Sequence, residues 1–449
     1  MTAEAKQDNL PVCSLLKQHF GTMPLHDLVT ATRKFPSTAR VDLQSAFDEF
    51  FTKEFQSRLV GIHGRHEAYE TMKFSHLLVE SENSVLIGPL QFDEVEIGEK
   101  VPARCLNNAL WLCEKGGNKF CVLLATAVQF GRPGGVHLEI AVGPGEAGLE
   151  LSRWILDEIE RKVSQAGSYR GKVLSLEVSD NYSGRSEGIK VHKLRAVSRS
   201  EIVLPEKTLT LLERNVIQFV AQREKLRELK MAVKKGLLFY GPPGTGKTHT
   251  IHYLASQMQD HTTLLITADQ VGLLDEYMKL ARFLQPAMVI MEDVDLIARA
   301  RTSMRNPCDE SLLNRLLNEM DGLREDAMIF FILTTNHPEQ LEAALSARPG
   351  RVDQAIEFPL PDEEGRRKLL KLYARGLEVS NDLVEIIVHK TKNASAAFIK
   401  ELMRRSAQYL IQSPQSGGLK QEHLEAELDE MLFSGGSLNV KLLGGSVNR

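Results

Sequence analysis

The spacing of apolar and polar residues changes along the chain. Before residue 80, HDLVTATRKF and RVDLQSAFDEFFTKEF place apolar residues three and four positions apart with charges between them. This spacing predicts that residues 1–80 form a helical N-terminal part. The following stretches, including KFCVLLATAVQF and GVHLEIAVG, are rich in β-formers and are separated by glycine and proline. We therefore expect a mixed α/β domain over residues 81–200.

The second half of the chain begins with another helical pattern. NYSGRSEG, at residues 181–188, is rich in small polar residues and is the best candidate for a linker, which places the domain boundary near residue 200. PEKTLTLLERNVIQFVAQREKLRELK then predicts a helical linker over residues 201–232.

Composition limits the class of protein. The 449 residues are 43% hydrophobic and 25% charged, enough for two or three ordinary cores. A formal net charge of -4 provides no strong basic field for nucleic acid. The five cysteines form no CxxC pair, so we expect reduced, buried thiols in the cytoplasm. We expect no membrane-spanning segment, because no apolar run reaches about 18 residues.

The N-terminal half offers no group of residues that indicates chemistry. His63, His66 and His76 lie near one another in the sequence but have no cysteine or carboxylate at ligand spacing. We interpret them as ordinary surface or packing residues.

A phosphate-binding loop is predicted in GLLFYGPPGTGKTHTIHYLA, which has the order strand, glycine-rich turn, helix. Its glycines let backbone N–H groups surround phosphate oxygens, and the helix adds its positive dipole end. Lys247 would reach the β- and γ-phosphates, and the Thr248 hydroxyl would bind Mg²⁺. A loop that serves only as a turn needs neither side chain. The predicted nucleotide-binding residues are Gly241, Pro242, Pro243, Gly244, Thr245, Gly246, Lys247, Thr248 and His249.

Two acidic residues follow the apolar run AMVIM, which is typical of a buried parallel strand. Neighbouring strand residues point to opposite faces, so we assign Glu292 to the Mg²⁺ side and Asp293 to the attacking water. Most comparable hydrolases carry aspartate first and glutamate second. The side chain of Asp293 is shorter than glutamate by roughly 1.5 Å, which predicts slowed or partner-gated hydrolysis rather than its loss. The alternative is that both acids merely cap the next helix.

Further motifs lie downstream in the order that a known family shows. LTTN contains Asn336, and RPGR contains Arg348 and Arg351. With the phosphate loop and the acids, they resemble the AAA subgroup of ATPases over residues 200–430. The resemblance implies a P-loop AAA+ module over residues 233–362, in which helices flank a parallel sheet. It also implies a helical lid over residues 363–432, which leaves a flexible tail at 433–449.

The resemblance also implies roles for these residues. Asn336 matches the family's polar sensor, and Arg348 and Arg351 match arginines that reach the γ-phosphate bound by a neighbouring subunit. A ring, by family likeness a hexamer, is therefore expected. EDVD, TTNH and RPGRVD are most similar to the branch containing the mitochondrial chaperone that assembles respiratory complex III. The inverted acids are normal in that branch, so hydrolysis is expected.

Two departures from the family pattern bear on function. Many members that thread polypeptides carry an aromatic, an aliphatic residue and glycine after the second strand, whereas LLITADQVGLLDEYMKLARF runs almost directly into a helix. Tyr277, the nearest aromatic, is interpreted as a packing residue. In the lid, NASAAFIKELMRRSA replaces the usual SGADL type of segment, and its small residues keep a close helix approach.

The leading hypothesis is a cytoplasmic ATPase that uses ATP and Mg²⁺ to remodel a protein partner held by the N-terminal half. The absent threading segment favours disassembly or repositioning of a folded partner. A nucleic-acid motor or loader is an alternative that the acidic balance disfavours. A nucleotide switch with little hydrolysis is another, which the retention of Asn336, Arg348 and Arg351 disfavours.

Overall fold

The computed structural model describes residues 10–64, 69–80, 83–129, 132–178, 186–296, 310–341, 351–412 and 419–431. Contacts divide the chain into two compact units. One consists of residues 1–169 and 176–191, and the other of residues 170–175 and 192–449. This division lies slightly before the boundary predicted near residue 200.

The first unit is built on an antiparallel sheet. Within the described residues this sheet has the strand order β1-β8-β7-β6-β2-β3, and β4 pairs with β5 separately. Its helices are α1 (Val12–Phe20), α2 (Arg40–Glu54), α3 (Phe74–Leu77) and α4 (Glu146–Gln165), with 3₁₀ turns at Leu25–Asp27 and Ser37–Ala39. Its strands are β1 (Val29–Phe35), β2 (Gln56–His63), β3 (Leu86–Gly88), β4 (Phe92–Val95), β5 (Ala103–Leu106), β6 (Ala109–Lys115), β7 (Asn118–Gln129) and β8 (Arg132–Val142).

Both faces of this sheet are covered. Leu110 and Leu112 of β6 belong to the same buried cluster as Leu16 of α1. Trp111, between them, stacks on Phe51 of α2 with ring centroids 4.8 Å apart. Successive strand residues point to opposite faces, so apolar side chains at consecutive positions require a layer on each side.

The helical prediction for residues 1–80 was wrong in part. α1 and α2 are helices, but HDLVTATRKF contains β1, which pairs with β8 from Val29↔Val142 to Phe35↔Val136. Exposure alternates along most of β1, as expected for a strand with one covered face. Gln56–His63 also forms a strand. Over the seven residues of β1, the apolar spacing fits both a helical and a strand periodicity. Pairing with β8 selects the strand.

Some predictions on single residues can be compared directly with the structure. Cys13, Cys105, Cys113 and Cys121 are free and buried, which confirms the interpretation for these four. Cys308, His66 and the tail at 433–449 lie outside the described residues. No helix in the described part of the chain combines the length and apolar character needed to cross a bilayer.

The second unit contains a parallel sheet, which confirms the predicted fold class. Strands β12, β13, β14, β11 and β15 lie in that order, and the start of β9 pairs with β12 at Val173 and Leu174. The strands of this unit are β11 (Lys235–Tyr240), β12 (Thr262–Ile266), β13 (Ala287–Met291), β14 (Ile329–Thr335) and β15 (Gln354–Glu357). Strand β9 (Val173–Val178) begins in this unit, whereas β10 (Ser186–His192) lies almost entirely within the residues of the first unit. All five residues of β13 are buried, as the AMVIM pattern predicts.

Some helices of this unit pack on the sheet, and the last four form a separate apolar cluster. The stretch predicted as a helical linker is helical and packs Leu209, Leu212 and Val216 into the core with Phe239 of β11. The helices are α5 (Glu206–Leu212), α6 (Phe219–Ala221), α7 (Arg223–Glu228), α8 (Lys247–Gln257), α9 (Leu274–Phe283), α10 (Glu310–Asp321), α11 (Glu363–Tyr373), α12 (Asn381–Lys390), α13 (Ala396–Gln412) and α14 (Gln421–Asp429). A π-helical turn spans Glu213–Gln218, and 3₁₀ turns span Arg199–Glu201, Ala268–Leu273 and Pro338–Gln340. Helices α11–α14 share one apolar cluster of their own, the lid.

Candidate functional site

The carboxyl ends of β11, β13 and β14 meet at one edge of the parallel sheet, where such folds bind ligands. β11 ends at Tyr240 and α8 begins at Lys247, so residues 241–246 form the loop predicted between strand and helix. Gly241 has φ 145°, and a Cβ there would lie 2.2 Å from the carbonyl oxygen of Phe358. Only glycine therefore allows the loop to leave β11 beside this backbone.

Lys247 points back into this loop. Its ammonium donates hydrogen bonds to the carbonyl oxygens of Gly241 at 2.7 Å and Pro242 at 3.1 Å, and to Asn336 Oδ1 at 2.8 Å. Burial lowers the pKa of Lys247 to about 8, although the charges of Asp293 and Asp295 oppose that shift. The side chain is therefore held where a triphosphate could exchange for its carbonyl partners.

The side chains predicted to hold a metal ion are adjacent. Thr248 Oγ1, at the first turn of α8, donates a hydrogen bond to Glu292 Oε1 at 2.7 Å. A hydroxyl and a carboxylate are hard oxygen donors that suit Mg²⁺, an ion that usually keeps water and substrate phosphates among its ligands. The described residues contain no cluster of three or more His, Cys, Asp or Glu that could hold a metal alone. This donor set thus fits an ion bound jointly with phosphate.

Asp293 contacts a different side chain from Glu292. Its Oδ1 accepts a hydrogen bond from Asn336 Nδ2 at 3.0 Å, so Asn336 joins Asp293 to Lys247. The donor and acceptor roles follow from chemistry, since an ammonium can only donate and a carboxylate can only accept. Glu292 and Asp293 therefore contact different groups, Thr248 and Asn336 respectively.

Buried polar residues beneath these groups were not assigned a role from the sequence. Asp295 Oδ1 accepts hydrogen bonds from Thr335 Oγ1 at 2.8 Å and from the Asn336 amide at 3.2 Å, which fixes the turn that carries Asn336. Thr334 Oγ1 accepts from the Asp293 amide at 3.0 Å. EDVD and LTTN contain these residues, but their mutual contact depends on the pairing of β13 with β14.

A cavity of about 600 Å³ opens beside this network. Residues 243–249, Asp293 and Asn336 line one part of it, and Leu369, Tyr373 and Ala396 of the lid line another. The Ala397 amide of α13 donates to the Gly244 carbonyl oxygen at 3.1 Å, which joins the lid to the phosphate loop. The volume lies within the range of roughly 300–1,000 Å³ common for small-molecule sites.

Arg351 contacts residues outside this network. Arg351 forms an ion pair with Asp321 of its own chain, and its Nη2 lies 3.4 Å from Asn318 Oδ1. Arg348 lies outside the described residues.

Tyr277 is fully buried in α9, and its hydroxyl donates to Gln270 Oε1 at 3.0 Å. This confirms the interpretation of Tyr277 as a packing residue. β12 passes through one 3₁₀ turn directly into α9, as the sequence predicts.

Comparisons with known proteins agree with this geometry. Residues 237–360 match the family model described as "ATPase family associated with various cellular activities (AAA)". The chain is 30% identical over 212 residues to "26S proteasome regulatory subunit S10B homolog B" of Arabidopsis thaliana, which covers 44% of this chain and 53% of that protein. It is 28% identical over 236 residues to "Proteasome-activating nucleotidase" of Methanothermobacter thermautotrophicus, which covers 50% and 57%.

A further relative is "ATP-dependent zinc metalloprotease FtsH" of Thermus thermophilus, 29% identical over 207 residues, which covers 43% of this chain and 33% of that protein. The chain spans about half the length of the first relatives that it matches.

Proposed function

We propose that this chain, which carries an ATPase domain of the AAA family, binds ATP with Mg²⁺ and hydrolyses it. The observation that carries the proposal is a chain of hydrogen bonds at the cavity, from Lys247 through Asn336 to Asp293. Beside it, Thr248 and Glu292 form the pair that would hold the metal ion. Each group has a chemical task in phosphoryl transfer. The arrangement exceeds what a turn or a helix cap requires.

The residues of the loop would bind the triphosphate. The N–H groups of residues 244–248 and the positive end of α8 favour phosphate oxygens, and Lys247 supplies a full charge to the β- and γ-phosphates. Thr248 and Glu292 would hold Mg²⁺, which when bound neutralises negative charge on the phosphate oxygens. The lid residues around the cavity would enclose the base and ribose.

The water-activating role falls to Asp293. A water oxygen attacks the γ-phosphorus while the bond to the β–γ bridging oxygen breaks, and ADP leaves. Asp293 orients this water and accepts its proton, and Asn336 holds both Asp293 and the Lys247 ammonium in place. Arg348 and Arg351 of a neighbouring subunit are proposed to stabilise charge on the γ-phosphate, which requires a ring, with a hexamer as the expected size.

The work of the ring is proposed to be remodelling of a folded protein partner bound by the N-terminal half. The direct passage from β12 into α9 supports repositioning rather than threading. The order EDVD supports a place in the branch that contains the complex III assembly chaperone. A cytoplasmic location remains part of this proposal.

The test is phosphate release from MgATP by the wild-type chain and by Lys247→Ala. We expect turnover in the wild type and loss of both binding and turnover in the variant. Tight ATP binding by an assembled ring without turnover would instead favour the nucleotide switch. Stimulation by DNA or RNA that falls steeply with salt would favour the nucleic-acid motor. Crosslinking of the N-terminal half in cells, with Asp293→Asn to retain ATP, would identify the partner.

A further inference from the structure

The backbone at Asp293 adopts a conformation that few residues tolerate. Its φ is 50°, in the left-handed region, whereas the preceding strand β13 is extended. In this region the Cβ crowds the following carbonyl group, and aspartate and asparagine are the non-glycine residues found there most readily. Strained backbone of this kind persists only when surrounding contacts hold it, and it is concentrated at functional sites.

The surrounding contacts at this position are specific. The Glu292 amide donates to the Ile266 carbonyl oxygen of β12 at 3.1 Å. The next amide, that of Asp293, faces the opposite neighbour and donates to Thr334 Oγ1 of β14 at 3.0 Å. A side-chain hydroxyl thus takes the place of a strand carbonyl. Thr334 is 2% exposed, so water does not readily replace it.

The left-handed backbone compensates for the short side chain of Asp293. A strand that simply continued would leave the Asp293 carboxylate about one bond short of where glutamate would reach. With the backbone turned, Asp293 Oδ1 comes within 3.0 Å of Asn336 Nδ2, at the group that also holds Lys247. The geometry therefore sets the position of the carboxylate through φ rather than through side-chain length.

We propose that Thr334 is a positioning residue that holds Asp293 in its left-handed conformation, and that this conformation is what allows an aspartate to activate water after a metal-side glutamate. The inference rests on the proposed ATP hydrolysis and explains the inverted order of the acids. The preference of the left-handed region for aspartate means that glutamate at residue 293 would be both strained and misplaced.

Thr334→Val tests the positioning role because it keeps the shape and removes the hydroxyl. Loss of base alignment forfeits part of the roughly 10²- to 10⁴-fold that general base catalysis supplies, so we expect kcat to fall about tenfold or more. KM for ATP should change less than about twofold: Thr334 lines the cavity, but its hydroxyl accepts from the Asp293 amide rather than from the phosphate loop. Thr334→Ser restores an acceptor and should recover most of the turnover.

The matched control is Thr262→Val at the opposite end of the sheet. Thr262 is fully buried, and its hydroxyl donates to the Leu284 carbonyl oxygen at 3.0 Å and accepts from the Gly171 amide at 3.2 Å. Its loss should lower stability but leave kcat unchanged. Equal falls in kcat for Thr262→Val and Thr334→Val would reduce Thr334 to a general stability role and overturn the proposal.

A variant at residue 293 keeps the proposal testable even if Thr334→Val folds poorly. Asp293→Glu, which restores the commoner residue, should turn over more slowly than the wild type; equal or faster turnover would overturn the proposal. In an Asp293→Asn background, Thr334→Ser and Thr334→Val should cause no further loss. Absence of turnover in the wild type would refute the proposed function itself. An inactive Asp293→Asn together with a fully active Thr334→Val would refute only the positioning role of Thr334.

Discussion

The Lys247 ammonium lies 2.8 Å from the side-chain oxygen of Asn336. The amide nitrogen of the same side chain lies 3.0 Å from Asp293, so one neutral residue joins the phosphate-binding cation to the water-side carboxylate. Neither charged group then needs to contact the other directly.

Asn336→Ala should lower kcat far more than it raises KM for ATP. The amide is expected to act on the γ-phosphate and on Asp293 during the reaction, and loss of one such preorganised donor typically costs about 10²- to 10³-fold in kcat. Steady-state phosphate release over a range of ATP concentrations measures both constants. An unchanged kcat would remove Asn336 from the reaction.

Glu292→Gln and Asp293→Asn should separate metal binding from water activation. Because Glu292 contacts Thr248, its neutralisation should raise the Mg²⁺ concentration needed for half-maximal turnover. Asp293→Asn keeps the side-chain shape and should retain ATP binding while kcat falls by about 10²-fold or more. A magnesium titration and a nucleotide-binding measurement on both variants would check this. If both variants show the same magnesium dependence, the assigned roles are wrong.

Arg348→Ala and Lys247→Ala subunits should complement each other when mixed. Each variant alone should be inactive, but a mixed ring contains sites in which an intact Lys247 faces an intact Arg348 of the neighbour. Phosphate release should therefore appear on mixing and peak at an intermediate ratio. Full turnover by Arg348→Ala alone, or by a preparation that stays monomeric in MgATP, would contradict the shared site.

The free energy of unfolding should depend on pH through protonation of His261. Arg223 Nη1 lies 3.3 Å from His261 Nε2, and burial followed by the Arg223 charge lowers the pKa of His261 from 6.5 to about 4. The unfolded chain binds this proton more tightly, so the stability present above pH 6.5 is lost as pH falls toward 4.

His261→Asn should flatten the fall in unfolding free energy between pH 6.5 and 4, as measured by denaturant unfolding at several pH values. His26→Asn is the matched control, because the His26 side chain is 84% exposed. Parallel curves for the wild type and His261→Asn would show that the histidine does not contribute.

The phosphate loop could be predicted from the sequence because its chemistry lies in adjacent residues. The glycines, Lys247 and Thr248 follow one another at the passage from a strand into a helix, so no distant contact is needed to recognise them. The metal-side place of Glu292 and the water-side place of Asp293 were predicted from the alternation of strand side chains. Their contacts with Thr248 and Asn336 are consistent with those roles, but β13 ends at Met291 and Asp293 is left-handed, so alternation does not account for the contacts. The roles themselves stay predictions.

By itself, then, the sequence determined the phosphate loop, the buried acidic strand and the α/β class, because each is encoded in a local pattern. Only the tertiary structure decided that β1 is a strand, since seven residues fit two periods until β8 pairs with them. It also decided the left-handed backbone of Asp293 and its partner Thr334, which is 41 residues away. A backbone angle that is unfavourable for the isolated residue is selected by hydrogen bonds from a neighbouring strand, and no local pattern contains that information.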